Sequence, residues 1–192
     1  MKVSKPSLFL AVAAFLFPLA ASAQFYASAA VGQVWNDFEC GSLSRCDDSD
    51  TGFKLLGGYK FTPLIAAEVS YTDYGKVTIG DAFFTQSFAI TSFGAGVALH
   101  GDFTPSWAWV ARAGVAQVKV DMSNSTVFGS GGQDDENVRP YFGAGISYRF
   151  SKQFSADLSF ELTEAVFDLN NNNRREWEIK TLWLGVTYSF GR

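Results

Sequence analysis

The feature that most constrains this chain is an alternation of period two whose polar side carries glycines and charges in mid-run. Leu182, Leu184, Val186, Tyr188 and Phe190 alternate with Thr181, Trp183, Gly185, Thr187 and Ser189. Phe154, Ala156, Leu158, Phe160 and Leu162 alternate with Ser155, Asp157, Ser159, Glu161 and Thr163. Between them in style, Phe142, Ala144, Ile146, Tyr148 and Phe150 alternate with Tyr141, Gly143, Gly145, Ser147 and Arg149. Successive side chains of a strand point to opposite faces, so each run has one greasy face and one polar face. Five further runs, near 25–36, 51–61, 64–74, 86–101 and 106–120, bring the expected strands to eight. The fifth is the least regular. Trp107, Trp109, Ala111, Ala113 and Val115 share a face, yet Gln117 and Lys119 fall on it too, so the strand is expected to leave its apolar surroundings or bulge there.

Which face is greasy decides between two barrels. A soluble barrel fills its interior with apolar side chains. Here the polar face would have to be that interior's opposite, because it holds glycines together with Lys54, Glu68, Arg112, Arg139, Arg149, Asp157 and Glu161. Glycine fills no core, and buried unpaired charge is costly. The reverse arrangement is consistent: an apolar band against lipid, and a narrow lumen of small residues and paired charges. In lipid every main-chain group must be satisfied internally, so the sheet has to close. The expectation is an all-β, eight-stranded antiparallel up-and-down transmembrane β-barrel. Aromatics near strand ends (Trp35, Tyr59, Phe61, Tyr71, Tyr74, Trp107, Tyr148, Phe150, Trp177, Tyr188 and Phe190) suit its two interfacial girdles. Composition agrees: 19 Phe, 7 Tyr and 5 Trp against only 18% charged residues in 192.

Lys2 and Lys5, the apolar stretch Leu8 to Phe17 and Ala21-Ser22-Ala23 read as a signal peptide over 1–23, leaving 24–192 as a single barrel domain. Its apolar core is too short to span a membrane, which takes about 20 residues as a helix. The expected location is the outer membrane of a Gram-negative bacterium. Cys40 and Cys46 lie in an acidic segment of this exported chain and are expected to form a local disulfide. A Ca²⁺ site from Asp47, Asp48 and Asp50 is the alternative, without EF-hand spacing.

Connections are expected to alternate, tight at Phe61-Thr62-Pro63, Phe103-Thr104-Pro105 and Phe150-Ser151-Lys152, and long and polar at 37–50, 75–85, 121–137 and 168–176. These four long loops are the candidate surface for an extracellular ligand. A net charge of −4 without a basic tract argues against nucleic acid. The one histidine, His100, sits beside Gly101 and Asp102 near a tight turn, away from any serine partner by spacing. No cofactor, metal site or catalytic set is expected.

Gly57-Gly58-Tyr59-Lys60-Phe61-Thr62-Pro63-Leu64-Ile65-Ala66-Ala67-Glu68, with Gly143 to Phe150 and the closing Leu184 to Phe190, resembles the OmpA-type eight-stranded outer membrane barrel. The resemblance covers all of 24–192 and lies in the order and spacing of degenerate motifs. It implies tight turns on the periplasmic side and long loops outside the cell. It also implies a final strand read by the barrel assembly machinery, here Leu182, Leu184, Val186, Tyr188 and Phe190, although Gly191 and Arg192 follow. No peptidoglycan-binding domain follows, so a cell-wall tether is not implied. The partners so expected are outer membrane lipids and lipopolysaccharide, with the assembly machinery and periplasmic chaperones during biogenesis.

The functional expectation is envelope integrity and loop-mediated binding or adhesion. A small gated pore with a charged lumen is the alternative, and a lipid-modifying enzyme a remoter one. The lumen network (Lys54, Glu68, Arg112, Arg139, Asp157 and Glu161) is expected to pair internally. Adjacent strands favour Lys54 as the partner of Glu68; the forked guanidinium favours Arg112.

Overall fold

The computed structural model describes residues 24–36, 45–47, 49–81, 84–126, 129–169 and 173–190. The leader read over 1–23, the residues 37–44 and Cys40 of the expected disulfide lie outside the described residues. Eight barrel strands follow in order: β1 (Gln24–Asn36), β2 (Ser49–Lys60), β3 (Ile65–Asp81), β4 (Phe84–Asp102), β5 (Trp107–Thr126), β6 (Gly129–Arg149), β7 (Phe154–Leu169) and β8 (Asn173–Ser189). A three-residue piece, Arg45–Asp47, pairs with Thr78 to Gly80 of β3. Each strand runs antiparallel to its neighbour in sequence, and β1 pairs with β8 from Tyr26–Ser189 to Asn36–Ile179, closing the sheet.

The three tight turns share one device. In each, a Phe follows the last strand residue and the next residue is Thr or Ser. Thr62 Oγ1 accepts from the amides of Leu64 and Ile65 at 3.2 and 3.0 Å, and Thr104 Oγ1 from those of Ser106 and Trp107 at 3.3 and 3.0 Å. Ser151 Oγ does the same for Gln153 and Phe154. A hydroxyl bonded to nearby main-chain amides fixes a turn locally. The turn at 61–64 also closes through the Phe61 amide on the Ile65 carbonyl at 3.0 Å.

The long connections are where the structure departs from the sequence reading. Segments 75–85, 121–137 and 168–176 are mainly strand: β3 and β4 are separated by residues 82–83 alone, β5 and β6 by 127–128, and β7 and β8 by 170–172. Residues 45–47 and 49–50 of the segment 37–50 are also strand. Among the described residues, the segments expected as ligand-binding loops are therefore mainly β-wall. The physical reason is that alternation reveals a strand only where one face meets an apolar phase. Beyond the lipid both a polar outer face and main-chain pairing persist, and the pattern no longer looks like a strand. β5 and β6, at 20 and 21 residues, are about twice the 9–11 that a tilted strand needs to cross a bilayer.

At a common height around the barrel the polarity inverts. Near the tight turns the outward side chains are apolar and open, with Leu184 at 62% and Phe142 at 60% exposure, while Ser70, Ser92, Lys54, Glu68 and Glu161 are buried inside. Above Val31, Tyr71, Phe93, Val115, Leu162 and Leu182 the outward positions become Gln33, Asp73, Thr91, Gln117, Glu164 and Lys180. There the inward positions become Val34, Ile90, Val118, Val120, Ile179 and Trp177, all buried in one apolar cluster. β5 passes through this height without a register shift, so Gln117 and Lys119 mark the exit from lipid rather than a bulge. The lumen read as polar throughout is polar only within the lipid band. Tyr74 and Trp177, read as girdle residues, are inside this cluster, 2% and 6% exposed.

Two irregularities matter. Between Asp73 and Lys76 the β3–β4 register shifts at Gly75, whose φ of 77° is a left-handed conformation that suits glycine. The Asp50 carboxylate accepts the Lys76 amide there at 2.7 Å. Separately, the β6–β7 ladder ends at Tyr141–Thr163. Above it β6 stays paired with β5 as far as Gly129, and β7 with β8 as far as Leu169. The residue at the fork is Pro140, which has no amide to continue the ladder.

Candidate functional site in the barrel lumen

Strand alternation sends Lys54, Glu68, Arg112 and Glu161 inward from β2, β3, β5 and β7, and register sets their heights. Glu68 is level with Gly58 and Gly96, and Arg112 and Glu161 flank Gly143. Arg112 Nε lies 2.9 Å from Glu68 Oε2, and the Lys54 ammonium is paired with Glu161. Of the two partners left open for Glu68, the geometry places Arg112 on it. The other Glu68 oxygen accepts the Tyr26 hydroxyl at 2.5 Å. His100 Nε2 stands 3.4 Å from that hydroxyl, with the two rings edge to face. Two ion pairs, the Glu68 one with a further hydroxyl donor, are tolerable in a place where a lone ion would not be.

The other predicted members sit apart. Arg139 is higher, near the fork, with Nη1 3.7 Å from the half-exposed Glu164 carboxylate. Asp157 is half-buried below, accepting a 3.4 Å contact from Ser155 Oγ. Arg149 pairs with Asp102 at the turn rim and bonds the Pro105 carbonyl at 3.0 Å.

Three aromatics that the sequence reading did not include complete the layer. Tyr26, Tyr141 and Trp183 lie across the lumen, 5%, 4% and 1% exposed. The mid-strand glycines make room for them. A methyl at Gly58 would come within 2.1 Å of the Tyr26 ring, at Gly114 within 2.7 Å of Tyr141, and at Gly32 within 2.6 Å of Trp183. Lys54 Nζ also lies 5.8 Å from the Tyr141 ring centroid, within cation–π reach. The available signal was an aromatic on the glycine-bearing face of its own run, as Trp183 beside Gly185 and Tyr141 beside Gly143.

The space around this layer is unequal. Below it a cavity of about 270 Å³ opens at the turn rim, bounded by Tyr26, Lys60, His100, Arg112, Arg149 and Asp157. At the layer only about 20 Å³ remains, beside Lys54, Arg112, Asp157 and Trp183, room for roughly one water. Above it lies the apolar cluster. No group of three or more metal-ligating side chains occurs among the described residues.

An outward apolar band, an ion-paired lumen and a closed sheet define a transmembrane β-barrel protein of the bacterial outer membrane. The sequence matches the OmpA-like transmembrane domain over residues 20–192, and the chain belongs to that family. It is 25% identical over 178 residues to outer membrane protein A of Salmonella typhi, covering 88% of this chain and 49% of that protein. Against the Klebsiella aerogenes protein the identity is 23%, covering 82% and 44%. The chain thus spans about half the length of the curated relatives it matches. Neisserial surface protein A superposes with a TM-score of 0.60 at 18% identity, covering 87% of this chain and 98% of that one. OprG of Pseudomonas aeruginosa superposes with 0.57 at 13% identity, covering 89% and 97%. The chain resides in the Gram-negative outer membrane, with its tight turns at one rim and its water-exposed walls at the other.

Proposed function

We propose that this barrel is a closed outer membrane anchor that holds a rigid β-walled surface outside the cell, with a structural and interactive role rather than a catalytic or transporting one. The observation that carries this reading is the double obstruction of the lumen. The paired charges with Tyr26, Tyr141 and Trp183 fill the band, and the apolar cluster of Val34, Ile90, Val120 and Ile179 fills the height above it. Exchange of ion-pair partners alone would leave the second obstruction in place, which weighs against a gate built from these charges. An eight-stranded barrel is just wide enough for its own side chains.

The outer wall supports the interactive half of the proposal. Ail of Yersinia pestis shares the fold, with a TM-score of 0.52, 19% identity and coverage of 88% of this chain and 97% of that one, in a complex with the heparin analogue sucrose octasulfate. Here the outward side chains of the wall include Asp73, Asp121, Asp134, Glu136, Glu164 and Glu178 against Lys76, Lys119 and Lys180. That balance favours a basic partner over a sulfated one. Planar-bilayer recording of refolded protein tests the closed state. Absence of conductance, or only rare small events, is expected; steady large conductance would refute it.

A further inference from the structure

The geometry points to the upper edge of β6, beside the fork at Pro140, as a docking site for an extended strand of a basic partner protein. The inference rests on the reading of the chain as a surface-interaction protein and names the class of partner.

The main-chain direction at this edge follows from the bonds around it. The Arg149 amide donates to Ser106 on the β5 side at 2.8 Å, whereas the Pro140 carbonyl accepts Thr163 Oγ1 on the β7 side at 3.1 Å. Odd-numbered residues of β6 therefore turn their main-chain groups to β5, and even-numbered ones to β7. Above the fork, the groups of Asp134, Glu136 and Val138 face the gap and have no ladder partner among the described residues. The opposing lip is partly engaged, since the Val166 carbonyl accepts Asn137 Nδ2 at 3.4 Å. On the β6 side it is side chains, those of Asn137 and Arg139, that reach across, and the main-chain groups of Asp134, Glu136 and Val138 are the ones available. A row of strand donors and acceptors of this kind is completed by an added strand.

Charge selects the occupant. The side chains of Asp134 and Glu136 point outward and are exposed, and Val138 below them is 68% exposed. A second copy pairing edge to edge would set acidic residues against acidic residues, which is unfavourable across a ladder. A strand with basic residues at alternate positions and an apolar residue at its membrane-proximal end is complementary.

The probe is a short synthetic peptide of alternating lysine and threonine ending in valine, added to the refolded full chain in nanodiscs. Amide exchange at Asp134, Glu136 and Val138 should be fast without peptide and slow with it. The test variant is Glu136→Pro, which deletes one edge donor while leaving the β5 ladder intact, because residue 136 faces away from β5. It should weaken peptide binding by about tenfold or more, with Glu136→Gln as the control that loses charge alone and keeps part of the affinity. Alternate N-methylation of the peptide should abolish protection. Three results would overturn the proposal: equal binding of the N-methylated peptide, equal binding of a glutamate–threonine peptide, or slow exchange at these amides in the absence of any peptide. Spontaneous homodimers cross-linked through Glu136→Cys would assign the edge to a second copy and also overturn it. Each of these readouts is separate from conductance, so this edge can fail while the barrel remains closed, and the reverse.

Discussion

The lower and upper halves of this barrel are the same ladder turned inside out. In the lower half Leu184, Phe142 and Val97 face outward and Glu68, Lys54 and Glu161 face inward; in the upper half Glu164, Glu178 and Lys180 face outward and Ile90, Val120 and Ile179 face inward. The same strands in one sheet serve both, with a register shift at Gly75 and a fork at Pro140 on the way up. The difference is the surrounding phase. Lipid accepts the apolar side chains and leaves the polar ones to pair within, and water does the opposite. A strand can therefore cross from membrane protein to soluble protein at a single residue step, as β5 does between Val115 and Gln117.

The comparison can be broken most severely at the ion pairs. Removing Glu68 by Glu68→Ala leaves the Arg112 guanidinium without its counter-ion and should cost about 3–5 kcal/mol. The double replacement Glu68→Ala with Arg112→Met should recover part of that, and a double-mutant cycle with Lys54 should show little coupling. Equilibrium unfolding in lipid vesicles measures each of these variants, and equal coupling to Lys54 and Arg112 would contradict the pairing described. Next in size, Ile179→Ala in the upper cluster should cost about 2–4 kcal/mol, as in a soluble core. The lipid-facing Val97→Ala should cost well under half of that, and matching losses would mean that the two halves are packed alike. Leu184→Lys in the band should cost roughly 2–4 kcal/mol, whereas Glu178→Lys on the same strand and face above it should stay within about 0.5 kcal/mol. Among the losses of native bonds the smallest is Thr104→Ala, which should cost about 1 kcal/mol or less through the lost turn bonds, read as a small shift in the same unfolding curve.

The band was legible in the sequence because lipid and lumen impose opposite demands on adjacent residues, and Leu182 to Phe190 answers both. The upper wall was not. At Lys119, Asp121 and Ser123 of β5 and at Asp134 and Glu136 of β6 the outward residues are polar, and the apolar inward ones, Val120 and Met122, are too few to signal a period in a sequence rich in serine and glycine. Alternation also gives the face of a side chain but not its height. Glu68 could be placed in the lumen from sequence, but its choice of Arg112 depended on register across β3, β4 and β5. The aromatic plugs were half hidden: alternation put Tyr141 and Trp183 on the inward face, but not that they fill the lumen, which only the glycines facing them reveal.

The tight turns have a consequence for how fast such a wall can be assembled. Each of the three hydroxyl-bonded turns is encoded within a few residues, so each hairpin can form by closing a short loop at little entropic cost. The ladder between β1 and β8, by contrast, brings Tyr26 to Ser189 and sets the Phe190 amide 2.8 Å from the Phe25 carbonyl. It joins segments separated by nearly the whole described chain. Contacts of such separation slow folding, so this seam should be the last to close and should set the rate. Replacements along Ala27, Ala29 or Val186 would then slow membrane insertion, while changes in the three turns would leave its rate nearly unchanged.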